Sequence, residues 1–169
     1  MSQAQVPTGI SLRPGQPVVG LDFDGVLNIV AGAAIPAGFE AHTVELDREN
    51  WPDHPYIRPL PPGPGPFLHR VVVSRAHGAM VRAWLAAGAV VVWATTSERA
   101  VLRNAELCDI PDLPVLEISK TLRGRHPQRT ADWKVAGLQA AFAGHPIVWV
   151  DDFGGEHRAL SSYGDPPAP

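Results

Sequence analysis

Two carboxylates one residue apart close an apolar run in "VVGLDFDGVLN", residues 18–28. Asp22 and Asp24 repel each other at that spacing, so the pair is tolerable only beside a positive group or with one member protonated. Two further apolar runs end in polar residues. "AVVVWATTSE" sets Thr95 and Thr96 after residues 89–94, and "PIVWVDDF" sets Asp151 and Asp152 after residues 146–150. Lys134 lies seventeen positions before Asp151, near the start of a helical pattern. Each motif alone has an ordinary role: an Asx turn for the first, helix caps for the Thr and Asp pairs, a solvated side chain for the lysine. Their joint occurrence at strand ends is harder to dismiss. If those strands are neighbours in a parallel sheet, their carboxyl ends open onto one crevice. Four carboxylates in a crevice need a cation, and all-oxygen donors select a hard ion such as Mg²⁺.

The elements that must position these residues follow from apolar patterning. "PVVGL" at 17–21, "AVVVWA" at 89–94 and "PIVWV" at 146–150 are short continuous apolar runs, expected for buried parallel strands, and "PVLEIS" at 114–119 is expected to add a shorter one. Between them lie helical patterns. Ser74 is expected to cap a helix carrying Met80, Val81, Trp84 and Leu85 on one face and stopping at Gly88. "SERAVLRNAEL" reads as a second helix, and Thr130 or Asp132 opens a third that runs through "WKVAGLQAAFAG" to Gly144. Strands alternating with helices predict an α/β fold, a parallel sheet with helices on both faces. Residues 28–67 break this rhythm: alternation in His42–Asp47 predicts one arm of a hairpin, and the proline-rich Arg58–Pro66 excludes helix. The chain thus divides into an N-terminal arm (1–16), a single domain (17–160) with residues 28–67 as a small loop-rich flap, and a tail (161–169).

Bulk properties narrow the function classes. A chain of 169 residues with 45% apolar and 18% charged residues is an ordinary globular composition of one-domain size. Net charge is −3 with no basic block, which excludes a broad electrostatic footprint for duplex nucleic acid. The single cysteine, Cys108, has no partner for an internal disulfide and no catalytic signature around it, and it reads as a packing residue. The start of the chain lacks a secretory pattern, and the longest apolar run is too short to cross a bilayer, so a cytoplasmic location and no membrane partner are expected.

The four motifs in this order resemble those of the haloacid dehalogenase-like superfamily. "LDFDGVLN" resembles its first motif, "VVWATTSE" its second, Lys134 in "TADWKVAGL" its third and "VWVDDF" its fourth, in double-aspartate form. The resemblance covers residues 17–153 and implies a Rossmann-like three-layer sandwich. It implies a Mg²⁺-dependent phosphatase acting on a phosphate monoester through an aspartyl-phosphate. Asp22 is the implied nucleophile and Asp24 the acid–base; Thr95, with Thr96, and Lys134 are the implied phosphate-binding groups. The implied metal ligands are Asp22, Asp24 through its backbone carbonyl, Asp151 and Asp152. "WATTSERAVLRNAEL" further resembles a branch found in nucleic-acid repair and phage-type phosphatases, with Ser97 where that branch has tryptophan. The implied substrate is a phosphorylated small molecule, such as a nucleotide, or a polynucleotide end. Trp51, His54, Tyr56 and Arg58 are candidate entrance residues. The edge strand that the family adds after its fourth motif is expected to be short, missing or supplied by a partner. A response-regulator receiver gathers similar residues in another order, with its acidic pair first and its lysine last. The alternative is a non-catalytic binding or scaffold protein on the same fold.

Overall fold

The computed structural model describes residues 5–29, 34–47, 64–95, 101–116 and 130–152. Five strands and three helices order this part of the chain: β1 (Val18–Leu21), β2 (Glu40–Leu46), β3 (Phe67–Val73), α1 (Ala76–Ala86), β4 (Val90–Trp93), α2 (Val101–Ala105), α3 (Thr130–Ala141) and β5 (Ile147–Val150). A 3₁₀ turn, Glu106–Cys108, extends α2. β1, β4 and β5 are the runs whose apolar residues are continuous, and they form a three-stranded parallel sheet in the order β4-β1-β5. The central strand β1 is buried along its whole length, as a parallel strand covered on both faces must be, whereas Val148 of β5 is exposed.

Side-chain alternation sorts the core into two clusters. Val19 and Leu21 of β1, with Val91 and Trp93 of β4, pack with Val81 of α1 and with Phe23, Val71 and Val73. Phe23 meets Trp93 edge to face, ring centroids 6.1 Å apart. On the opposite face Val18, Val92, Ala94, Ile147 and Trp149 pack with Leu138 and Phe142 at α3. Gly20 points to this face, where Leu138 lies so near that a Cβ would sit 2.5 Å from one of its methyls. Residues 5–16 carry no helix or strand, yet Ile10 and Leu12 pack against the second cluster.

Gly88 and Gly144 take the positive φ expected where α1 and α3 end. Ser74 is not the cap of α1: that position is Arg75, which makes no side-chain cap bond, and Ser74 Oγ accepts the Ala76 N–H at 3.3 Å from one residue earlier. Cys108 is fully buried and its thiol is pushed up to about 12 by burial, as befits an inert packing residue. Two expectations need correction. "PVLEIS" does not form a strand over its described residues: Val115 makes one isolated parallel bridge to Trp93, and residues 117–119 lie outside the described residues. Within the stretch expected to be loop-rich, β2 finds its antiparallel partner in β3, a strand the sequence pattern left unassigned. Its signal is hidden because His69 and Arg70 interrupt the apolar residues of "FLHRVVV" with no period of two, and its partner lies across a long connection rather than a tight turn. Among the described residues no helix is long and apolar enough to cross a membrane.

Gly78 decides how closely α1 approaches the turn after Cys108. A Cβ there would collide with the backbone carbonyls of Cys108 and Asp109, which cannot swing aside as a side chain can. Alanine gains about 1 kcal/mol of helix propensity over glycine, whereas overpacking costs about 1–3 kcal/mol. Gly78→Ala is therefore expected to lower the melting temperature by several degrees. A raised melting temperature in a calorimetric scan would show that the helix moves away at no cost.

Candidate functional site

The register of the parallel sheet brings three strand ends level. Leu21 lies beside Trp93 on one side and Val150 on the other. The ladder runs one residue further: the Ala94 N–H donates to the Leu21 carbonyl at 2.8 Å, and the Asp22 N–H donates to the Val150 carbonyl at 2.9 Å. Asp22, Thr95 and Asp151 therefore leave the sheet along one edge, and all three are buried.

After β1 the chain turns sharply. The N–H groups of Leu27 and Asn28 donate to the Phe23 carbonyl at 2.9 Å, and the Gly25 N–H donates to the Asn28 carbonyl at 2.8 Å. Gly25 has φ +83°, and a Cβ there would fall on the Asp152 carboxylate. The positive φ calls for glycine, and the β1 loop and the end of β5 come into direct apposition at this point.

Lys134, one turn into α3, closes the arrangement from the side. Its Nζ donates to Asp22 Oδ2 at 2.5 Å and to Asp151 Oδ2 at 2.7 Å, and it is as buried as its partners. The Phe23 N–H donates to the other oxygen of Asp22 at 2.9 Å. Burial alone lowers a lysine pKa, but the Asp22 and Asp151 charges outweigh it and hold Lys134 above its ordinary value. For Asp22 burial is the largest influence; with the Asp151 charge it pushes the carboxyl up to about 7 despite Lys134. Lys134 pulls the Asp22 carboxyl down, but not far enough to offset burial and the Asp151 charge. Asp152, more exposed, is also raised, by partial burial and then by the Asp151 charge.

Asp22, Asp151 and Asp152 each offer a carboxylate oxygen within 4.8 Å of the others, a group that could hold a metal ion. Carboxylates this close repel one another, and Lys134 already offsets part of that repulsion at Asp22 and Asp151. The Asp24 carboxylate stands outside this trio and accepts a hydrogen bond from Asn28 Nδ2 at 2.7 Å. Thr96, Trp51, His54, Tyr56 and Arg58 lie outside the described residues. Asn28 itself was not singled out from the sequence, although a lone amide between Leu27 and Ile29 is a polar residue in an apolar setting. The contact of Lys134 with Asp151 was likewise not foreseen.

Comparison with models of protein families, with curated proteins and with solved structures returned no match.

The raised Asp22 carboxyl makes the metal-free fold sensitive to pH. Below its ordinary value of 3.8 the group is protonated in folded and unfolded chains alike. Between 3.8 and about 7 the unfolded chain releases the proton while the folded chain keeps it, so stability falls as pH rises through that window. Urea titrations in chelator are expected to give a lower midpoint at about pH 8 than at about pH 5. Asp22→Asn should flatten that slope, and an unchanged slope would assign the effect to other groups.

Proposed function

We propose that this chain is a Mg²⁺-dependent phosphatase of the haloacid dehalogenase-like superfamily, built as a Rossmann-like three-layer sandwich. The observation that carries the reading is Lys134 bonded to both Asp22 and Asp151 at the carboxyl edge of a parallel sheet. The four sequence motifs supply a residue each to that edge: Asp22 from the first, Thr95 from the second, Lys134 from the third and Asp151 from the fourth.

In this reading Asp22 attacks phosphorus as the bond to the ester oxygen breaks, leaving the phosphoryl group on the carboxylate. Asp24 gives its proton to the departing oxygen. It then takes one from the water that attacks phosphorus, the bond to Asp22 breaks, and inorganic phosphate is released. Lys134 holds the Asp22 carboxylate in position and offsets charge beside the phosphoryl group, and Thr95 donates its hydroxyl to a phosphoryl oxygen. Asp22, Asp151 and Asp152 have the all-oxygen donor chemistry that Mg²⁺ requires, with the Asp24 carbonyl as a further ligand. Mg²⁺ at those groups supplies positive charge that favours ionised carboxylates and offsets the charge of the transferring phosphoryl group. The "WATTSE" resemblance supports a phosphorylated nucleotide or polynucleotide end as substrate, and the net charge of −3 favours the smaller carrier.

Turnover of p-nitrophenyl phosphate in Mg²⁺, followed by a panel of nucleotides, sugar phosphates and 3′- or 5′-phosphorylated oligonucleotides, tests the proposal. Asp22→Asn, shown to be folded by circular dichroism, is expected to lose at least about a thousandfold in kcat. Near-wild-type turnover in that variant would rule out the covalent route, and an inactive wild-type protein would return the fold to a non-catalytic binding role. Mg²⁺ at about a hundred times its Kd should stabilise the native chain by about 2.7 kcal/mol, which raises the melting temperature by about 5–10 °C. Asp151→Asn and Asp152→Asn should each shrink that rise. A melting temperature indifferent to Mg²⁺ in the wild-type protein would remove the metal from the proposal.

A further inference from the structure

Asn28 sits where the β1 loop meets the β2–β3 hairpin, and it is buried. The two ends of an amide side chain are chemically distinct, one an acceptor and the other a double donor. Asn28 Oδ1 accepts the Val72 N–H of β3 at 2.8 Å, and Asn28 Nδ2 donates to Asp24 Oδ1 at 2.7 Å. A flipped amide would set N–H against N–H on one side and carbonyl against carboxylate on the other, so only one orientation is chemically consistent. The backbone reinforces it: the Ile29 N–H donates to the Val72 carbonyl at 3.0 Å, and the Gly25 N–H donates to the Asn28 carbonyl at 2.8 Å.

We propose that Asn28 is a positioning residue that ties the β2–β3 hairpin to the acid–base carboxyl, holding Asp24 by its Oδ1. The inference rests on the phosphatase reading above. In the first half-reaction the Asp24 proton passes to the ester oxygen as the phosphorus–ester bond breaks and the phosphorus–Asp22 bond forms. In the second, Asp24 receives a proton from water as the water oxygen bonds to phosphorus and the bond to Asp22 breaks. Asn28 exchanges no proton; it holds the carboxyl plane. Because the amide is itself held by β3, the hairpin becomes part of the catalytic frame and more than a cover for it.

Asn28→Asp separates the two contacts. The replacement has nearly the same shape and still accepts the Val72 N–H, but it presents an oxygen where Asp24 had a donor. The readout is kcat/KM for p-nitrophenyl phosphate and for a simple alkyl phosphate, with Mg²⁺ present and melting temperatures measured alongside. Nitrophenolate departs with little help from an acid, whereas an alkoxide needs the proton. The expected result is a folded variant whose preference for the nitrophenyl ester over the alkyl ester rises at least about tenfold above wild type. An unchanged preference, with or without a general loss of rate, overturns the inference. If Asn28→Asp does not fold, Asn28→Leu, of similar outline and without polar atoms, is read by the same ratio. Wild-type protein that hydrolyses neither ester sinks the phosphatase reading and this inference together. Active wild-type protein with a leaving-group-independent variant sinks the inference alone.

Discussion

One buried ammonium sets the terms for this structure. Lys134 is bonded to carboxylates that arrive from opposite ends of the chain, Asp22 after β1 and Asp151 after β5. Taking ions out of water is costly, and a buried pair is tolerable only when geometry and further hydrogen bonds are good. The sheet register supplies the geometry by placing Leu21 level with Val150, and the Phe23 N–H supplies a further bond. Removing the lysine would leave two carboxylates facing each other with no counter-charge, which in buried pairs costs about 3–5 kcal/mol. The remaining imbalance is left in place: with one cation between two anions, the site holds unspent negative potential. A proton can satisfy it, and so can a metal ion.

Close approach is the second constraint, and glycines at three places permit it. Gly20 lets Leu138 of α3 pack onto the middle of β1, which brings the helix near enough for Lys134 to reach across. Gly25 lets the loop after β1 pass the Asp152 carboxylate, and Gly78 lets α1 rest on the turn after Cys108. Each is a position where one methyl group would displace something connected to the site or to the core beneath it.

The parallel strands were legible as continuous apolar runs, and the strand ends were legible because polar residues interrupt those runs abruptly. Convergence of Asp22, Thr95 and Asp151 then follows from strand order alone. The helix ends were legible for a local reason, since Gly88 and Gly144 act on their own backbone. What stayed hidden depends on contacts made far along the chain. β3 pairs with β2 across a connection that carries no tight-turn signature, and His69 and Arg70 break the apolar pattern of "FLHRVVV". Asn28 looks like the first residue of a loop until Val72 is placed beside it. The single bridge at Val115 shows the opposite error, an apolar run with strand-forming residues and little ladder to join over its described part.

The placement of β1 at the centre of the sheet also bears on how the chain comes to be folded. Val18 pairs with Val90 on one side and with Ile147 on the other, so β1 is completed by a strand made much later in the chain. Contacts this distant in sequence close slowly, because the intervening chain must be ordered before they form. During synthesis on the ribosome, Asp22 and Asp24 emerge long before Lys134 and Asp151, and until those arrive the carboxylates remain in water, fully hydrated and chemically idle. Partial chains that stop before β5 would expose one flank of β1 as an open backbone edge, the form in which strands most readily join the wrong neighbour. The charges of Asp22, Lys134 and Asp151 come together only in a chain whose β1 and β5 have met.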